Sequence, residues 1–183
     1  MIKKHSSIAF LVSLMAFTSL ITLTGCGTNT ASSAPVTYQN TTTGFSVQYP
    51  GNWKKEEIDS FDVEFTSPTI SGANLPATVE ITSIPDDSAG SFAALEQERS
   101  DFLSVGLDNY HLISSNTTQL GGKDALHMIY TFTSGSHTMQ TDSIIAPQGD
   151  SKAFAVTITR PSDHADYAQA DIDALLASFT LLK

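Results

Sequence analysis

Four alternating segments follow one another at 110–115, 124–133, 137–146 and 152–159, and the connections between them carry glycine at Gly121-Gly122, Ser134-Gly135 and Gly149-Asp150. Such short turns cannot hold the crossover that parallel neighbours require, so these strands must pair antiparallel. In the last of them Phe154, Val156 and Ile158 face one way, the period-2 pattern of a strand buried on one side. The same pattern occurs upstream in Phe45, Val47 and Tyr49, in Phe61, Val63 and Phe65, and in Val79 and Ile81 within 77–84. Pro50-Gly51 ends the first of these, and the stretch from Pro68 to Pro76, with Gly72, separates the second from the third.

Two helical patterns interrupt the strands. The first opens at Ser91, a favoured N-cap residue, and sets Phe92, Leu95, Phe102 and Leu103 on one face, with Gly106 near its end and Glu96, Gln97, Glu98, Arg99 and Asp101 outward. The second follows Arg160-Pro161, which stops the sheet. Ser162 or Asp163 can cap it, and Ile172, Leu175, Leu176 and Phe179 form its apolar stripe. The expected class is α+β, with helices packed on an antiparallel sheet of about six to seven strands.

Cys26, the only cysteine, closes Leu23-Thr24-Gly25-Cys26 after an uncharged apolar run from Ile8 that follows Lys3 and Lys4. Sixteen residues at about 1.5 Å each fall short of a hydrocarbon core of about 30 Å. The run therefore reads as the hydrophobic region of a signal peptide rather than a permanent span. The ending resembles a lipobox, in which the cysteine thiol receives a diacylglyceryl group and becomes the mature N-terminus. This divides the chain into a signal peptide at 1–25, a lipidated cysteine with a polar tether at 26–35, and a folded domain at 36–183. A lipid on Cys26 would hold the domain to the extracytoplasmic face of a bacterial membrane without a transmembrane segment.

Loss of residues 1–25 leaves seven basic residues against nineteen acidic ones, a formal charge of −12. A domain of that charge is repelled by nucleic acid and by anionic headgroups, and its complements are cations or basic protein surfaces. With Cys26 lipidated, no thiol remains for a disulfide, a thiolate nucleophile or a sulfur-ligated metal.

Metal chemistry rests on two constellations. With a two-residue loop at Ser134-Gly135, Thr133 pairs with Ser136, which puts His127 opposite Asp142 on one face and His137 opposite Phe132 on the other. His127 and Asp142 would supply two of the four ligands zinc takes, and a hydrogen-bonded pair is the plainer reading; His111 and His164 cannot be placed beside them. Calcium is the second option, through Asp86-Asp87 before the first helix and Asp163, Asp166, Asp171 and Asp173 around the second. Neither acidic group has the spacing of an EF-hand, and helix-cap or solvated surface charge accounts for both. The sequence has no Gly-x-Ser-x-Gly elbow, no His-Glu-x-x-His, no phosphate-binding glycine loop and no dinucleotide fingerprint. The expectation is a protein that is not an enzyme, with an unrecognised hydrolase as the remotest alternative.

The order of elements resembles the PsbP-like family. The segment Gly44-Phe45-Ser46-Val47-Gln48-Tyr49-Pro50-Gly51-Asn52-Trp53 looks like its opening strand, Tyr-Pro turn and tryptophan. Leu120-Gly121-Gly122-Lys123-Asp124-Ala125 looks like its central Gly-Gly turn, and Leu176-Ala177-Ser178-Phe179 like its closing helix. The resemblance implies an αβα sandwich and a non-enzymatic accessory role, docking to or assisting assembly of a membrane-associated protein complex, one related to photosystem II in a photosynthetic host. A calcium- or zinc-binding envelope lipoprotein is the alternative. For Trp53 and Tyr49, a place in the scaffold is favoured over a ligand-stacking surface.

Overall fold

In the computed structural model, which describes residues 33–58, 61–85, 91–149 and 152–182, the segments after Asn109 form one antiparallel meander. The elements are β1 (Pro35–Asn40), β2 (Phe45–Pro50), β3 (Lys54–Ile58), β4 (Phe61–Thr66), β5 (Thr78–Pro85) and α1 (Phe92–Gly106). There follow β6 (His111–Leu120), β7 (Lys123–Ser134), β8 (His137–Gly149), β9 (Lys152–Pro161), a 3-10 turn (Ser162–His164), α2 (Gln169–Ser178) and β10 (Thr180–Leu181). Seven strands in the order β3-β4-β5-β9-β8-β7-β6 make the main sheet, and β1-β2-β10 make a second, three-stranded one. Neighbours in both sheets pair antiparallel.

Alternation sorts the main sheet into two apolar faces. Val63, Phe65, Val79, Ile81, Ile144, Phe154, Val156 and Ile158 meet the small sheet and α2 through Phe45, Val47, Ile172, Leu175 and Phe179. The intervening residues Leu126, Met128, Tyr130, Ile145, Ala153 and Ala155 pack on the other side with Leu95 of α1. The main sheet is thus the middle layer, with α1 on one face and α2 together with the three-stranded sheet on the other. Residues 1–32, which contain the expected signal peptide and Cys26, lie outside the described residues. No helix among the described residues is long and apolar enough to cross a membrane.

Local geometry refines several expectations. Trp53 is buried in the core and the Tyr49 ring lies 4.5 Å from that of Phe65, so both serve the scaffold. Ser91 caps α1 by accepting from the Ala94 amide at 3.4 Å. Phe102, however, is 70% exposed, whereas the Nε of Arg99 is buried. At about 100° per residue, Arg99 sits between Phe92, Leu95 and Leu103 on the helix circumference while Phe102 falls outside that arc, so the inward face takes the aliphatic stem of an arginine. The second helix does not start at Ser162 or Asp163. Those residues form the 3-10 turn, and α2 begins after Ala168, whose φ of +56° reverses the chain without a side-chain cap.

At the Gly-Gly turn, Gly121 has φ +57°, and a Cβ there would meet the Phe179 ring at 3.0 Å. This turn is therefore held against the end of α2 by a contact only glycine permits. At the next hairpin the loop is Gly135-Ser136 rather than Ser134-Gly135, because Ser134 pairs with His137. The positive φ then falls on Gly135 alone (+59°), as a type II′ turn requires, whereas the expected loop would have forced it on Ser134. Moving the loop by one residue moves the cross-strand partner by two, so every side chain keeps its face. His127 accordingly lies opposite Ile144, Asp142 opposite Ile129, and His137 opposite Ser134 instead of Phe132.

Candidate functional site

His127 and Asp142 occupy diagonal positions on the face of the sheet that looks toward α2, and they still meet: Nε2 of His127 is 3.1 Å from Oδ1 of Asp142. The second carboxylate oxygen, Oδ2, accepts from Nη2 of Arg160 at 2.8 Å. Arg160 is only 3% exposed. Its Nη1 donates to Oε1 of Gln169 at 2.7 Å and to the Tyr167 carbonyl at 3.4 Å, and Gln169 in turn donates to Asp173 at 2.7 Å. A continuous polar chain thus runs from β7 through β8 and β9 to the first turns of α2.

Burial pushes the Asp142 carboxyl upward, but the His127 hydrogen bond and the Arg160 guanidinium outweigh it and leave it below the usual carboxylate range. Both oxygens of Asp142 are engaged within the protein, one of them by a permanent cation. A zinc or calcium ion at His127 and Asp142 would have to share the carboxylate with Arg160. Among the described residues, no group of three or more His, Cys, Asp or Glu side chains converges to hold a metal. His111 pairs with Thr131 at the sheet edge, and Asp86 and Asp87 lie outside the described residues. The arrangement is suited to clamping the start of α2 onto the sheet.

The opposite face of the same sheet carries a different pattern. In register, Glu56 of β3 lies beside Glu64 of β4, and Glu64 beside Glu80 of β5. Lys54 bridges Glu56 at 2.6 Å, while Glu64, which accepts from the Thr66 hydroxyl at 3.0 Å, stands directly opposite Glu80 as a like charge. The Glu80 carboxyl is held above its ordinary value, by burial first and by Glu64 second. A carboxyl raised in the folded state is destabilising once ionised and ceases to be so as pH falls below its unfolded value. Glu80→Gln is therefore expected to stabilise the fold at neutral pH by about 0.5 kcal/mol, the size of a partly solvated cross-strand repulsion. The gain should vanish in urea titrations run below the carboxylate range; a gain independent of pH would refute this assignment.

Residues 27–181 match the family model described as PsbP-like protein. The chain belongs to that family. No curated protein matches the sequence significantly. The PsbP-like domain resembles the solution structure of cyanobacterial PsbP (CyanoP) from Synechocystis sp., with a TM-score of 0.57 and 18% identity over 87% of this chain and 98% of that one. It also resembles LpqN, involved in cell envelope biogenesis of Mycobacterium tuberculosis, with a TM-score of 0.54 and 13% identity over 85% and 88% of the two chains. The Ran-binding protein Mog1p of Saccharomyces cerevisiae superposes with a TM-score of 0.57 at 8% identity, over 83% of this chain and 97% of its own. At these identities the likeness is one of fold, and it agrees with the layered α+β architecture expected from the resemblance.

Proposed function

We propose that this PsbP-like chain is a lipid-anchored, extracytoplasmic accessory module that is not an enzyme and docks on a basic surface of a membrane-associated protein complex. The observation that carries the docking is the Glu64–Glu80 pair. Like charges placed directly opposite each other on a sheet cost stability, and a cationic partner surface relieves that cost on binding. The ionic cluster on the other face is consumed internally by the Asp142 clamp, which favours a scaffold role for it over a reaction centre. The anchor is supported by the lipobox-like ending at Cys26 and by a family match that begins at the next residue. In a photosynthetic host the complex is expected to be related to photosystem II.

Affinity capture from detergent-solubilised membranes tests the proposal. The full chain should retain a defined protein set, and Glu64→Gln/Glu80→Gln should reduce that set severalfold without lowering the chain's stability. Cys26→Ala, which cannot be lipidated, is the background. Retention of no protein above that background, or equal retention by the carboxamide variant, would sink the docking role.

A further inference from the structure

The mouth of the layer between the two sheets holds a cavity of about 330 Å³ where the β1–β2 turn, the start of β7 and the adjoining ends of β8 and β9 come together. Pockets that take small molecules run to about 300–1,000 Å³. From the main sheet it is lined by Ser83, Lys123, Gln148 and Lys152, and from the β1–β2 turn by Thr42 and Thr43. Alternation explains the convergence. Lys123 is two residues before Ala125, and Lys152 two before Phe154, so both lysines belong to the face that looks toward the small sheet, beyond the end of its apolar core. Asp124 belongs to the opposite face and accepts from Gln119 at 3.5 Å.

Charge makes this placement unusual. Lys54 and Lys55 are paired with Glu56 and Glu57, and Arg160 with Asp142. Lys123 and Lys152 form no ion pair among the described residues, yet they line one cavity on a domain of formal charge −12. At a screening length of about 8 Å remote carboxylates are damped, and the described residues that line the cavity include two ammonium groups and no carboxylate. Hydroxyl groups complete the donor set. The Asn40 side chain accepts from the amides of Thr42 and Thr43 at 3.0 Å each, which fixes the turn. The Thr43 Oγ1 is buried and makes no hydrogen bond.

We propose that this cavity binds a phosphate group, carried either by a small soluble molecule or by a lipid headgroup. Two lysines neutralise its charge as point cations, and the hydroxyls of Ser83 and Thr42 donate to its oxygens, together with the Gln148 Nε2 hydrogen that is not used on the Ala146 carbonyl. The site lies apart from the Glu64–Glu80 face and does not depend on partner docking.

The test follows the backbone amides of Thr42, Thr43 and Gly44 by NMR in the full chain held in detergent micelles, titrated with inorganic phosphate at constant ionic strength set by chloride. Saturable shifts confined to this turn and to the neighbouring strand ends are expected at millimolar phosphate. Lys123→Gln/Lys152→Gln should weaken the apparent affinity by about tenfold or more, since two charge-assisted contacts are lost. Lys54→Gln/Lys55→Gln should leave it unchanged. Phosphatidic acid doped into the micelles that displaces inorganic phosphate identifies a lipid source, and failure to displace it identifies a soluble one; both support the site. Absence of saturable shifts, shifts scattered over the surface, or equal binding by the Lys123→Gln/Lys152→Gln variant would overturn it.

Discussion

Arg160→Ala is expected to destabilise the domain by about 3–5 kcal/mol, because removal of one partner of a buried ion pair strands the other in a poorly solvating site. Asp142 would keep His127 but lose the guanidinium, and Gln169 and the Tyr167 carbonyl would lose their donor. Urea unfolding should show a lower midpoint with an unchanged slope. The apolar double replacement Arg160→Met/Asp142→Leu should recover much of the loss, since buried pairs are often replaceable by packing hydrophobes. A loss for Arg160→Ala below about 1 kcal/mol, the range of a surface pair, would show that the clamp is not a buried one. The acid limb offers a second readout. Asp142 has a depressed value in the folded state, so it contributes stability that is complete above its unfolded pKa of about 4 and is lost as pH falls through the folded value. In Asp142→Asn that part of the acid dependence should disappear.

Phe45→Ala is expected to cost about 3–5 kcal/mol, the range for emptying a large aromatic from a packed core. Phe45 is fully buried, with ring centroids 5.4 Å from Phe154, 5.6 Å from Phe179 and 5.8 Å from Tyr38. Each such pair adds about 0.5–1.5 kcal/mol beyond burial, which places the loss toward the upper end. Because the ring joins β2 to both the main sheet and the end of α2, hydrogen exchange should accelerate first in β1 and β10. Phe102→Ala, at an exposed helix position, should change stability by no more than about 0.5 kcal/mol. Comparable effects for the two phenylalanines would contradict the assignment of faces.

The strands that could be read from sequence are those with one buried side, because burial on one face imposes period 2. Lys54–Ile58 had no such mark: Lys-Lys-Glu-Glu-Ile is an edge strand whose charges face solvent and discourage further pairing. Thr180–Leu181 is too short to show a period at all. A loop displaced by one residue keeps parity, so His127 and Asp142 share a face in either register and meet on the diagonal. Arg160 was legible only as the residue before a proline that stops the sheet. The signal that would have found it is its place two residues after Ile158 and four after Val156, on the buried face, where a charge must have a partner. The start of α2 was hidden for the same reason: the 3-10 turn and the reversal at Ala168 deliver Gln169 to Arg160, a tertiary demand that no local cap reveals.

The strand β10 pairs with β2, and the Ser178 hydroxyl accepts from the Gln48 amide at 2.7 Å. Thr180 meets Ser46 across 134 residues of chain. The small sheet is therefore closed by residues far downstream of β2, and closing so long a loop is slow. A chain that emerges N-terminus first would leave β2 incompletely partnered until β10, 134 residues further on by the Ser46–Thr180 contact, had followed it. This topology postpones completion of the small sheet until β10 is available, so β2 keeps one open edge while all the strands of the main sheet are being laid down.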